Sequence, residues 1–320
     1  MSKPSIRFMA IQRGLNKMRV LLIFPMQDLQ TGPAIKYAFE QLGHKVFTVD
    51  AKVDDCPSYS DLLQVMPDLI FCSRTERLAS WIVGIKKYSG AKIALWNVDV
   101  RQNIDSWKHL FPLIKLCDYH FVVDSKLILE WKEINPNTFW LPQGLQNELY
   151  KKPMSITDED REKYACDVSW AGDIDSPIHK FRIPFIEAVD KMGINFKTWG
   201  CRGNPKVYGE EFNKMVSLSK INLGMSAFPE NGDCVSVRDF KILGAAGFLL
   251  ELYRKKLFEL FPIMFTDCYG NPDDLVGRIR YYLAETELRK TMAKRANSWV
   301  HNSATYVHRI RRALEIMEMS

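Results

Sequence analysis

The stretch from Ser219 to Leu252 constrains this chain more than any other. Ile221 to Met225 is a short apolar run, of the kind a sheet buries on both faces. A polar loop with Pro229, Gly232 and Asp233 follows it. Ser236 to Ala246 then has helical spacing, with Val237, Phe240, Ile242, Leu243 and Ala246 available for an inner face. Gly247 stops the helix, and Phe248-Leu249-Leu250 begins a second apolar strand. Strand, loop, helix, glycine and strand make one right-handed crossover between parallel neighbours, so the chain folds as α/β with a parallel sheet.

In such a sheet ligands sit outside the carboxyl ends of the strands, where loops enter helix N-termini. The loop from Ala227 to Ser236 lies at that end. Unpaired N–H groups and the helix dipole attract anions there. Arg238, in the first turn, adds a fork of donors suited to phosphate oxygens. From these residues alone, Arg238 reads equally as a diphosphate ligand or as a solvated surface cation.

The same grammar recurs upstream. Met18–Phe24, His44–Asp50, Pro67–Cys72, Lys92–Trp96 and Asp118–Val123 read as strands, with a helix running through Leu42 to Gly43. Thr138 to Gly144 closes this half, and the charged segment Lys151 to Arg161, with Pro153, reads as a linker. At 320 residues the chain is long for one core and suits two domains. Asp167–Ala171 opens the second half as a strand, and Gly172 lets backbone approach a diphosphate closely. Lys180 and Arg182 follow as possible cations or as a solvated face. No G-x-G-x-x-G is present, so the dinucleotide fingerprint is missing.

Other classes are narrowed by composition. A net charge of +6 is too mild for a dedicated DNA-binding domain, although it suits an anionic ligand. Seven cysteines, an odd number without a C-x-x-C pair, read as reduced core thiols of a cytoplasmic protein. The six histidines do not cluster with them, and Asp173-x-Asp175 before Pro177 is read as turn chemistry, so no metal is expected. No apolar run approaches the roughly 20 residues a membrane span needs. The basic opening through Lys17 lacks a hydrophobic core and cleavage site, and reads as an extension before the first strand.

With these residues in view, SKINL followed by SVRDFKILGAAGFLL resembles the donor-site segment of GT-B glycosyltransferases, in particular the CgeB-like branch. Asp167–Gly172, Phe196–Gly200, Asp274–Leu283 and Ala304–Arg309 are similar to flanking elements of that family, with Ala304 where the family has His. The resemblance implies two Rossmann-like domains with parallel sheets. They are expected at residues 1–150 and 151–299, with a terminal helix at about 300–320 returning to the first. It also implies transfer of a sugar from a nucleotide-diphosphate sugar to an acceptor hydroxyl, retaining and without bound metal. The donor residues it implies are Gly172, Arg182, Trp199, Gly200, Asp233, Ser236, Arg238, Asp239 and Lys241. Trp199 and Gly200 belong to the loop expected near the nucleobase.

One departure bears on that set. The family places Glu where this chain has Lys241, eight positions after Asp233, to hold ribose hydroxyls. Lysine donates only, so Asp239 stands in, Lys241 meets phosphate, or the activity has decayed to a non-catalytic GT-B scaffold. On the acceptor side Asp28, Thr31 and Gly32 are candidates, although Gly-Pro is also a plain helix start. Trp96 with Asp99 either holds a sugar or base, or is a packed indole beside a capping acid. Asp28, Asp99 and Arg238 form the catalytic set, the acids serving as base if the reaction inverts. A glycan, a glycan on a protein, a small molecule or a hydroxymethylated base in DNA all fit as acceptor.

Overall fold

The computed structural model describes residues 17–52, 58–73, 75, 78–228 and 234–319. Asp233 and the opening through residue 16 lie outside them. Among the described residues eleven strands form two sheets, and every pairing within them is parallel. The first holds β1 (Arg19–Phe24), β2 (Lys45–Asp50), β3 (Leu69–Cys72), β4 (Lys92–Asn97), β5 (Tyr119–Val122) and β6 (Thr138–Trp140), in the order β2-β1-β3-β4-β5-β6. The second holds β7 (Cys166–Ala171), β8 (Phe196–Trp199), β9 (Ser219–Gly224), β10 (Leu249–Leu252) and β11 (Asp267–Tyr269), in the order β11-β10-β9-β7-β8. Both sheets reverse direction beside their first strand, which puts a crevice between β1 and β3 and another between β7 and β9. This is the GT-B arrangement of two Rossmann-like units.

Each sheet is covered on both faces, which is why its strands read as continuous apolar runs. Alternate residues of β1 point into separate layers: Val20, Leu22 and Phe24 into one core, Leu21 and Ile23 into the other. The first of those cores is completed by the helix Tyr306–Ile316 near the end of the chain, through Tyr306, Ile310, Ala313 and Leu314. That helix packs on Thr31–Gln41, so the terminal segment returns to the first half as expected. The sequence between the sheets reads as a linker, yet residues 158–164 form a helix. Thr157 accepts from the Asp160 amide at 3.1 Å and Asp160 returns a bond to the Thr157 amide at 3.0 Å. This capping box starts a helix within a highly charged run.

Gly247 has a different role from the one expected. The left-handed residue after the helix Val237–Gly244 is Ala246, at φ 62°. A Cβ on Gly247 would run into Val216 and come within 2.8 Å of Asn222 Nδ2, so glycine is there for close packing.

Candidate functional site

Two neighbouring cavities open at the carboxyl ends of the strands. The outer one, about 710 Å³, lies between the halves. Its walls come from the segment after β4, Val98 to Gln102, and from Ser226–Phe228 and Cys234–Arg238 of the second half. The inner one, about 250 Å³, runs into the second half beside Gly172, Trp199, Gly200 and Lys241. Arg238 and Asp173 line both.

Arg238 stands at the crevice between β7 and β9. Its Nη1 donates to the carbonyl of Ala171 at 2.6 Å and its Nη2 to that of Met225 at 3.2 Å, at the ends of those strands. Arg182 converges from the other side, donating to the carbonyls of Asp173 at 2.6 Å and Met225 at 2.7 Å. Both guanidinium groups flank the buried Trp170 ring, at 4.2 Å and 5.2 Å from its centroid. Burial, and next the charge of Arg238, push Arg182 down to about 9. Carbonyl anchors hold the two like charges in fixed directions and leave the Nε–H of each buried without a partner. A buried orphan donor is costly, and an incoming acceptor relieves that cost. Gly172 makes the arrangement possible, because a Cβ there would occupy the space of the Arg238 guanidinium and approach Trp170 to 2.7 Å.

The remaining residues expected at the site fall into three groups. Ser236 caps its helix by accepting from the Arg238 amide at 3.2 Å, and it lines the outer cavity. Trp199, its Nε1 buried without a partner, and Gly200, at φ 76°, line the inner cavity with Lys241. The Lys241 ammonium lies 4.3 Å from the centre of the Tyr150 ring and is pushed down to about 8 by burial and then by Arg238. On the opposite side Asp99 is exposed on the outer wall. Trp96 does not reach the cavity. It is fully buried, donates to the Leu141 carbonyl at 3.2 Å, and packs edge-on against Phe71 and Tyr306.

Two expected ligands are turned elsewhere. Asp239 is 0% exposed and faces the interior, where Ser226 donates to its Oδ2 at 3.1 Å, so it cannot stand in for a ribose-binding acid. Helical phase explains this: Asp239 precedes Phe240 on the buried side, whereas Arg238 and Lys241 lie on the cavity side. Asp28 is exposed and lines neither cavity. Asp173 accepts through Oδ1 from the amides of Asp175 and Ser176, the turn role read from sequence.

Sequence reasoning missed His179 and Gln143, both on the outer cavity. His179 lies within the short 3-10 turn Pro177–Arg182 with its Nδ1 buried and unpartnered. Burial, then the charge of Arg182, hold it below its ordinary value and therefore neutral at pH 7. Gln143 accepts from the Tyr306 hydroxyl at 2.6 Å and donates to the Val98 carbonyl at 2.7 Å. A lone His or Gln carries no spacing signal.

Residues 182–315 match the family described as glycosyl transferase-like, a span holding Arg182, Ser236, Arg238 and Lys241. The chain has the GT-B fold. Its fold is shared with HepE of Anabaena, solved with UDP-glucose, at 12% identity and a TM-score of 0.64 over 95% of this chain and 100% of that one. It is shared also with a glycosyltransferase of Rickettsia africae, at 13% identity and 0.65 over 95% and 99%. Sucrose-phosphate synthase of Thermosynechococcus elongatus aligns at 10% identity and 0.63 over 95% and 99%. No curated protein matches the sequence. No helix among the described residues is long and apolar enough to cross a membrane.

Proposed function

We propose that this protein is a glycosyltransferase that moves a sugar from a nucleotide-diphosphate sugar to an acceptor hydroxyl, with the donor in the second half and the acceptor entering from the first. The observation that carries this reading is the pair of anchored arginines at the β7–β9 crevice, each with an unpartnered Nε–H. HepE was solved with UDP-glucose and an α1,3-fucosyltransferase of the same fold with GDP-fucose, which supports a nucleotide sugar as donor.

The bond between the sugar's anomeric carbon and the diphosphate breaks as the acceptor oxygen bonds to that carbon. The acceptor attacks from the face the diphosphate leaves and gives its proton to a departing phosphate oxygen, so configuration is retained. Charge grows on the diphosphate during this step, and fixed guanidinium donors are worth more there than in the ground state. The chain's own cations supply the neutralisation, so bound metal is not required by this route. We place the two lobes at residues 1–150 with about 300–320, and at 151–299; closure about the intervening segment excludes water from the sugar. Asp99 on the outer wall favours a second reading, inversion with Asp99 as base. The anomeric configuration of the product, read by NMR, separates the two.

The test is a thermal-shift and hydrolysis screen with UDP, GDP, CDP and TDP and their sugars. A ligand held at 100 times its Kd raises stability by about 2.7 kcal/mol, a shift of several degrees. If every nucleotide leaves the melting curve unmoved and no donor is hydrolysed, the reading fails.

A further inference from the structure

The inner cavity is lined by donors. Lys241, Lys206 and Arg238 bring cations into it, and Trp199 brings an indole N–H. That indole nitrogen and the Arg238 Nε are both buried without a partner. Among the described lining residues the one carboxylate is Asp173, whose Oδ1 already serves two amides of its own turn. Two acids on the helix of Lys241 and the strand after it are withdrawn from this wall: Asp239 and Glu251 are fully buried and bonded to Ser226. Lys241 has the aromatic face of Tyr150 and no acid, among the described residues, as its companion. A sugar diol needs acceptors as well as donors. A group made only of acceptors and carrying negative charge answers every one of these features.

We propose that the inner cavity is an anion subsite in which a phosphate or carboxylate group of the ligand sits between Lys241 and Arg238, with Lys241 bound as the ammonium. This rests on the donor site proposed above and names what its deepest part selects. The shared chemistry has two sources, the phosphates of the nucleotide itself or a carboxyl on the transferred sugar. Lys241 does not take the place of a ribose-binding acid. It exchanges recognition of a diol for recognition of charge.

Proton linkage follows. With Lys241 held near 8 in the open site, an anion bound beside it favours the charged form. Affinity therefore falls as pH rises above about 8, by up to roughly tenfold per unit. The groups facing Lys241 are Arg238 on its own helix, Lys206, Asp173 and Tyr208 across the cavity, and Tyr150 beneath it, the last pushed up to about 12 by burial.

Calorimetric titration of the full chain decides the matter, using pyrophosphate, UDP, UDP-glucose, UDP-glucuronate and uridine against wild type, Lys241→Met and Lys241→Arg. Lys241→Met removes a buried charge and should melt no lower than wild type, which guards against misfolding. We expect at least tenfold weaker binding of pyrophosphate and UDP in Lys241→Met, recovery in Lys241→Arg, unchanged uridine, and a pH dependence above 8 lost in Lys241→Met. If only UDP-glucuronate is weakened, the anion is the sugar's carboxyl. Nucleotides that bind Lys241→Met within twofold of wild type at pH 7 and pH 9 overturn this proposal and leave the donor-site reading standing. Lys241-dependent binding of pyrophosphate, with no gain from any nucleoside, does the opposite.

Discussion

Gly172 and Arg238 compete for one volume, and the outcome is set by a single missing methyl group. A Cβ at Gly172 would displace the guanidinium from the Ala171 carbonyl, so Gly172→Ala should cost ligand affinity well before it costs the fold. Losing a charge-assisted bond of about 1.5–3 kcal/mol corresponds to roughly 10- to 100-fold in Kd. Arg238→Ala should weaken nucleotide binding by a similar factor, while Asp99→Ala on the opposite wall spares it. Calorimetry with UDP reads both, and the reverse order of sensitivity would refute the assignment of donor and acceptor sides. At this scale the sequence put Arg238, Gly172 and Trp199 at strand and helix ends that line one cavity, because a helix start, a strand-end glycine and a strand-end aromatic have fixed places in a crossover. It could not tell that Arg182 spends its fork on backbone carbonyls, since its partners, Asp173 and Met225, are 9 and 43 residues away.

The loop after β9 is held by a buried polar network between two elements. Ser226 accepts from the Ser236 amide at 2.7 Å and donates to Asp239, while its own amide donates to Glu251 Oε1 at 3.3 Å. Arg254, also buried, donates to the carbonyls of Ser226, Ala227 and Phe228. Burial first, and the charge of Asp239 next, push Glu251 well above the usual carboxylate range. A carboxyl whose folded value is raised contributes stability below its unfolded value and loses that contribution as pH rises through the folded one. Wild type should therefore lose melting temperature relative to Glu251→Gln as pH climbs from 5 to 7.5; parallel curves for the two proteins would remove this network as the cause. Here the sequence placed Asp239 and Glu251 on the correct helix and strand. It gave no sign that they meet, because opposition across a crossover depends on the register of β9 with β10.

The two halves are joined a second time by the end of the chain. Leu145 pairs with Thr305, Arg309 donates to the Gln143 carbonyl at 2.9 Å, and the next turns of the helix bury Ile310 and Leu314 in the first core. Ile310→Ala should cost about 2–5 kcal/mol, read by urea unfolding, although it lies more than 150 residues from the strands it covers. A loss under 1 kcal/mol would mean that the terminal helix is an accessory and leaves the first core complete. The surface this helix packs on was known only through resemblance. The helix 158–164 shows the converse: a capping box was present in the letters and was outweighed by charge.

Sequence alone determined the architecture, because continuous apolar runs, period-3.6 helices and the glycines between them permit little except parallel sheets covered on both faces. It also determined which half places a helix start beside an arginine at a strand's carboxyl end. Tertiary structure decided which side chains share a cavity. Arg238 and Lys241 face it, Asp239 one residue away does not, and His179 arrives from another strand's loop. Helical phase, strand register and the order β11-β10-β9-β7-β8 set those meetings, and each is a long-range property that no local spacing encodes.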